Sequence, residues 1–152
     1  MASHPTSTPR RGIAAVELGL LLAPLVLLTF GITEYGRAAQ DYSKIVKSAR
    51  DAARYLTLHA PGDAASIATA KNLAVYGSMA AGGTPLVNGL AIANVAVADS
   101  SSDPSLYLQP TGNGNVNLVR VRITGVQFTS MVPAVVSSLV FGPITVTMGQ
   151  VL

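Results

Sequence analysis

The chain of 152 residues contains no cysteine and no tryptophan, and only 11% of its residues are charged. Without cysteine there is no disulfide framework, thiolate zinc site, iron–sulfur cluster or thiol nucleophile. Ordinary soluble domains carry about 25% charged residues. The shortfall, together with a hydrophobic content of 49%, excludes an intrinsically disordered chain and argues against a purely soluble enzyme. Ten basic residues stand against seven acidic ones, a formal charge of +3; so thin a surplus does not indicate a nucleic-acid partner. The length suffices for one domain and is short for two.

Groups able to do chemistry are equally scarce. The two histidines are His4, near the N-terminus, and His59, at the end of a helical pattern, where the helix C-terminal carbonyls are the expected partners. Ser100, Ser101 and Ser102 have no histidine or lysine base nearby, and no Ser-His-Asp set is visible. Gly112-Asn113-Gly114-Asn115 lacks the lysine and following helix of a phosphate-binding loop. Asp99 and Asp103 share a polar, turn-rich stretch over 99–114. They could offer oxygens to calcium, or form a binding loop, but two carboxylates are few for a tight metal site. A Ser/Asp/Pro turn explains the same letters. Arg120 and Arg122 could meet acidic partners, or simply discourage edge pairing of a strand. The expectation is a protein that is not an enzyme, with no cofactor and no bound metal.

What the chain does have is one long apolar run. Residues 1–12, MASHPTSTPRRG, are small and polar and read as a leader ending in Arg10-Arg11-Gly12. Residues 13–33, IAAVELGLLLAPLVLLTFGIT, contain a single charge, Glu17. As a helix these 21 residues extend about 31 Å, the thickness of a hydrocarbon core. A transmembrane helix is therefore predicted over 13–33, with membrane lipid as its surroundings. An acid inside such a run is costly and marks a functional position, and a conventional signal peptide avoids one. Pro24 lies mid-span and frees the carbonyl of Leu20, which predicts a kink or a melted turn there.

The phrase RRG-IAAVELGLLLAPLVLLTFGITEYGRA, from Arg10 to Ala38, resembles the start of a TadE-like minor pseudopilin of the tight-adherence (Tad) pilus system, a branch of the type IV pilin-like proteins. A basic leader, a glycine, five residues ending in glutamate, and an apolar helix closing in Glu34-Tyr35-Gly36-Arg37 carry the resemblance. It implies that a membrane prepilin peptidase cuts between Gly12 and Ile13, with Arg10 and Arg11 flanking the site, so that Glu17 becomes the fifth mature residue and acts in assembly. It also implies as partners a major pilin, other minor pseudopilins and an inner-membrane assembly platform. Ile13-Ala14-Ala15 departs from the Phe-Thr-Leu start of larger type IV pilins and favours the Tad branch. Removal of residues 1–12 would leave eight basic against seven acidic residues.

Arg10 and Arg11 place the leader on the cytoplasmic side. The far flank is also basic, so charge counting alone is ambiguous, and residues from about 36 onward are placed outside the cytoplasm because large domains translocate largely regardless of charge and leader processing in this family is cytoplasmic-face chemistry. The expected location is the bacterial inner membrane, then the pilus at the cell surface. An uncleaved single-pass anchor, with residues 99–114 of an extracytoplasmic domain as its binding surface, is the alternative.

Beyond the span, residues 34–58 are predicted to continue the helix. Tyr35, Ala39, Tyr42, Val46, Ala49, Ala53 and Leu56 would form the buried stripe, and Arg37–Asp41 and Lys47–Asp51 would pair at i,i+4. Asp63 is expected to cap a second helix closing at Gly77. Strands are expected over 90–98, 116–128 and 144–152, with a short helix around Pro133 within 130–141. The predicted fold class is α+β. A long N-terminal helix, transmembrane in its first half and amphipathic in its second, packs on a small antiparallel sheet of about three strands within a domain spanning 34–152.

Overall fold

A computed structural model describes residues 11–112, 114–132 and 138–150. Arg10 and the leader before it lie outside the described residues, as do Asn113, residues 133–137 at the centre of the helix predicted around Pro133, and residues 151–152.

Helix α1 runs unbroken over Arg11–Leu56, 46 residues or about 69 Å. Pro24 lies inside it without interrupting the helix, so no turn melts at that position. The first half stands clear of the domain among the described residues: residues 12–30 are all exposed. The second half is the spine of the domain. Its last turn tightens through Thr57, Leu58 and His59, whose amides bond to the carbonyls of Ala53, Tyr55 and Leu56, and His59 Nδ1 lies 2.8 Å from the Tyr55 carbonyl.

Helix α2, Ala64–Tyr76, starts at Asp63, whose carboxylate accepts from the amides of Ala65 and Ser66. It stops at Gly77, where φ is +69° and the glycine amide bonds to the Leu73 carbonyl. A left-handed residue at this position costs a glycine little. A 3-10 turn over Ile92–Asn94 leads into β1, Val95–Asp99, so the first half of the strand predicted over 90–98 is not a strand. The predicted 99–114 loop holds a four-residue helix α3, Pro104–Tyr107, and strand β2, Leu108–Thr111. Strand β3 covers Gly114–Ile123 and ends before a separate two-residue strand β4, Gln127–Phe128. The run predicted as one strand over 116–128 therefore breaks at Thr124–Val126. Gly125 has φ +71° and the Thr124 amide bonds to the Asn94 carbonyl, turning the chain out of the sheet. Strand β5 is Leu139–Val140 and β6 is Ile144–Gly149. Leu139 and Val140 thus extend where a helix was predicted over 130–141.

The sheet is antiparallel with β3 at its centre. Val119–Ile123 pair with β1 and Leu118–Ile123 with β6, while Gly114–Asn117 pair with β2. This makes four strands instead of three, with a further two-stranded ribbon in which Gln127 faces Val140 and Phe128 faces Leu139. Alternation along β3 buries Val119, Val121 and Ile123 and leaves Arg122 exposed, as period 2 requires. Arg120 is half-buried, its guanidinium 5.1 Å from the centre of the Tyr107 ring.

The core forms where α1 crosses this sheet. Ala38, Ile45, Ala49, Ala52, Ala53 and Leu56 are buried against Ala70, Ala74 and Val75 of α2 and the inner face of β3 and β6. Four alanines on one helix face let the backbones of α1, α2 and the sheet approach closely. Of the predicted stripe, Ala49, Ala53 and Leu56 are buried and Val46 half-buried, whereas Tyr35, Ala39 and Tyr42, nearer the apolar half, are exposed. The ion pairs also differ, with Arg37 bound to Glu34 and Lys44 to Asp41, each at 3.1 Å. Glu34 is buried on the domain side, and Arg37 turns toward it and away from Asp41.

Ile45 is the largest fully buried side chain of the helix face. Its replacement by alanine is expected to cost about 2–5 kcal/mol, read as a lower urea midpoint of the detergent-solubilised chain with an unchanged denaturant slope.

Candidate functional site

Two places on α1 carry the unusual chemistry. The first is its start. Gly12 and Ile13 lie within the first turn, with no side chain or neighbouring segment within 4 Å of where a Gly12 Cβ would stand. A glycine lowers helix propensity by about 1 kcal/mol relative to alanine, so the Gly12–Ile13 peptide sits where the helix unwinds most easily. Glu17 is exposed one turn further on. The other polar side chains of 13–33 are Thr29 and Thr33. Their hydroxyls donate to the carbonyls of Leu25 and Thr29 at 2.8 and 2.9 Å, satisfying them inside the helix as an apolar solvent demands. Glu17 is thus the one ionisable group of the apolar half.

Helix α1 is long and apolar enough to cross a membrane, with a mean hydropathy of 2.3 over its best 18-residue window, none of it buried in the domain. The domain of residues 34–150 follows this half. The chain thus combines one apolar N-terminal helix with a folded unit after it.

The second place is the exit of the helix from that apolar half, at Glu34-Tyr35-Gly36-Arg37. Glu34 is only 4% exposed. It accepts from Arg37 Nη2 at 3.1 Å and from the Met131 amide at 3.2 Å. Arg37 also donates to the Thr129 carbonyl, and its guanidinium lies 4.6 Å from the centre of the Phe128 ring, a cation–π distance. Phe128 packs on Phe141, and Phe141 on Tyr42. The two charged residues therefore fasten the segment after β4 to the helix where the exposed span ends. Sequence reasoning quoted this phrase as a family mark and assigned it no task. The available signal was an acid and a base three apart at the start of the helix face that carries the core residues.

The Arg37 hydrogen bond is the main cause that holds the Glu34 carboxyl below its ordinary range, opposed by burial and assisted by the Ser130 hydroxyl, the Met131 amide and the Arg37 charge. Asp63 is lowered too, chiefly by the Ser66 hydroxyl.

Asp99 is 4% exposed and closes the far end of the domain. One carboxylate oxygen accepts from the Gly62 amide at 2.8 Å, and the other from the Ser101 amide, the Ser101 hydroxyl and the Ser102 amide. Burial raises its pKa, but these hydrogen bonds outweigh it and the net direction is down. Gly62 has φ +76°, and a Cβ there would stand 2.7 Å from Ser101 Oγ. Asp103 caps α3, accepting from the Ser105 amide and hydroxyl. Asp99 and Asp103, predicted as a possible binding loop, adjoin in one turn, where the Asp103 amide bonds to the Asp99 carbonyl and each carboxylate accepts from backbone and serine donors nearby. Among the described residues no cluster of three or more potential metal ligands occurs. Between α1 and α2 a groove of mixed charge is lined by Lys44, Lys47, Asp51 and Leu73.

The family model described as TadE-like protein matches residues 12–54. That is under a third of the chain and nearly all of α1, from the glycine at its start into its last turn. The likeness to TadE-like proteins is carried by this helix, Glu17 and the Glu34–Arg37 phrase included, and it associates the chain with the Tad pilus system. No curated protein and no solved structure matches the chain.

A carboxyl held low in the folded state stabilises it above the unfolded pKa, and that contribution is lost as pH falls through the folded pKa. Glu34→Gln should therefore flatten the acid limb: its urea midpoint is expected to fall less than that of the wild type between neutral pH and about pH 3. Equal slopes in the two proteins would show that Glu34 carries no charge-dependent stability.

Proposed function

We propose that the protein is a minor pseudopilin, cut between Gly12 and Ile13 by a prepilin peptidase and taken into a Tad-type adhesive pilus as a tip, priming or adaptor subunit. The observation that carries this reading is the 46-residue helix that matches TadE-like proteins while half of it stands free of its own domain. A helix that is apolar all round and bare needs either lipid or other helices for cover. The inner membrane supplies the first, and a fibre of neighbouring pilins the second.

The step from one to the other turns on charge. Cleavage creates an α-ammonium on Ile13, four residues before Glu17. Either charge alone in an apolar setting is expensive, and removing one partner of such a pair leaves the other uncompensated. Within a waiting subunit the two can neutralise each other across one helical turn. In a fibre, Glu17 can instead meet the Ile13 ammonium of a neighbour, which fixes the axial register between subunits. The protein acts by packing and charge matching and not by catalysis, with the domain after residue 34 outside the cytoplasm as cap or adaptor. Its partners are the prepilin peptidase, the major pilin, sister minor pseudopilins and the inner-membrane assembly platform. An uncleaved anchor using residues 99–114 as a binding surface is less well supported, since Asp99 and Asp103 are engaged within their own turn.

The test is Glu17→Ala in cells that carry the pilus machinery. The variant should insert and lose residues 1–12 like the wild type, yet fail to co-purify with pilin partners. Full recovery of those partners would contradict the charge-matching role.

A further inference from the structure

The end of the domain nearest the apolar half of α1 has an unusual surface. Residue 131 is held there by its own backbone, since the Met131 amide bonds to Glu34. Arg37 holds the Thr129 carbonyl beside it. Met131 and Tyr35 are 78% and 77% exposed, and Leu139, paired with Phe128 on the ribbon, is 43% exposed. Tyr35 follows Glu34 in the chain, Met131 is bonded to it, and Leu139 pairs with Phe128, whose ring lies against Arg37. No charged residue occurs in the chain after Arg122. The two charges at this level, Glu34 and Arg37, neutralise each other at 3.1 Å, as do the next two along the helix, Asp41 and Lys44.

From these observations we infer that the β4 end of the domain is a lipid-contacting foot, with Met131, Leu139 and Tyr35 resting in the headgroup layer of the membrane that α1 crosses. The inference rests on the reading of α1 as a membrane anchor. Its basis is a level: residues 13–33 fill about 31 Å, the whole hydrocarbon thickness, so residue 34 emerges at the boundary, and the Glu34–Met131 bond fixes Met131 at the same height. Tyrosine with an apolar ring and a polar tip suits that layer, and the uncharged side chains of Met131 and Leu139 beside a self-neutralised ion pair can enter it without stranding a charge. The opposite end of the domain, where Asp99 and α3 lie, is the end held to the C-terminus of α1 and faces away from the bilayer. The foot would hold the domain at a fixed tilt until the subunit leaves the membrane.

The absence of cysteine makes the test direct. Full-length chains carrying Met131→Cys, Leu22→Cys or Leu106→Cys, all at exposed positions, are labelled with an environment-sensitive fluorophore. They are then reconstituted into vesicles of phosphatidylethanolamine and phosphatidylglycerol. Quenching is measured with aqueous iodide and with lipids spin-labelled at the headgroup or deep in the acyl chain. The Met131 site should respond to the headgroup-labelled lipid and show several-fold weaker iodide quenching than the Leu106 site, while the Leu22 site responds to the deep label. Lipid quenching at Leu22 together with full iodide access at residue 131 overturns the foot and leaves the anchor standing. No lipid quenching at Leu22 overturns the anchor, and the foot with it. A residue-131 label shielded from iodide and from both lipids is covered by protein, which overturns lipid as the occupant.

Discussion

One helix has to satisfy two solvents. Its first half presents apolar side chains on every side and has no partner in its own domain, whereas its second half provides the face on which the sheet and α2 condense. Everything else follows from the need to change environment within one unbroken helix. The handover occurs at Glu34–Arg37, where a buried carboxylate, a guanidinium, a backbone amide and an aromatic ring meet. That cluster fastens the polypeptide after β4 to the helix at its point of exit. The Gln150 side chain, bonded to the carbonyls of Leu56 and His59, and Asp99, bonded to Gly62, close the other end.

This arrangement separates two kinds of polar group in the chain. The polar groups that are buried serve the fold: Glu34 the exit, Asp99 the α1–α2 turn. The remaining ionisable group of interest, Glu17, is exposed on the apolar helix, where it would have no structural use in an isolated domain. A glycine at the first turn and an acid one turn beyond it are the arrangement a peptidase and a neighbouring subunit would need.

The helices were legible because their signals are local. The 21-residue apolar run, the Asp63 cap and the Gly77 stop each depend on a few neighbouring residues, and each element forms where those residues put it. The C-terminal part of the buried stripe, Ala49, Ala53 and Leu56, was legible as well. Its first turns were not: Tyr35, Ala39 and Tyr42 share the helical period with the core residues, but Met131 and Phe128, almost a hundred residues away in sequence, dock on Glu34 and Arg37 instead. The antiparallel sheet was expected, but its strand limits were missed for a similar reason. The break after Ile123 depends on Asn94, whose side-chain amide donates to the Thr124 carbonyl at 2.9 Å, and β2 pairs inside a stretch whose serines and aspartates read as loop. Of the candidate site, Gly12, Ile13 and Glu17 could be named from spacing and resemblance, and the Ser/Asp/Pro turn expected around Asp99 and Asp103 forms, but the backbone partners of the two carboxylates do not appear in a sequence pattern.

The step on which the proposed function depends is cleavage between Gly12 and Ile13. It is tested most directly by the N-terminal mass of the protein isolated from membranes, with the prepilin peptidase present and absent. The account predicts a chain beginning at Ile13 only when the peptidase is present. A chain that keeps its leader while the peptidase is active would contradict it, as would a start near Ala39, which would make the apolar helix an export signal.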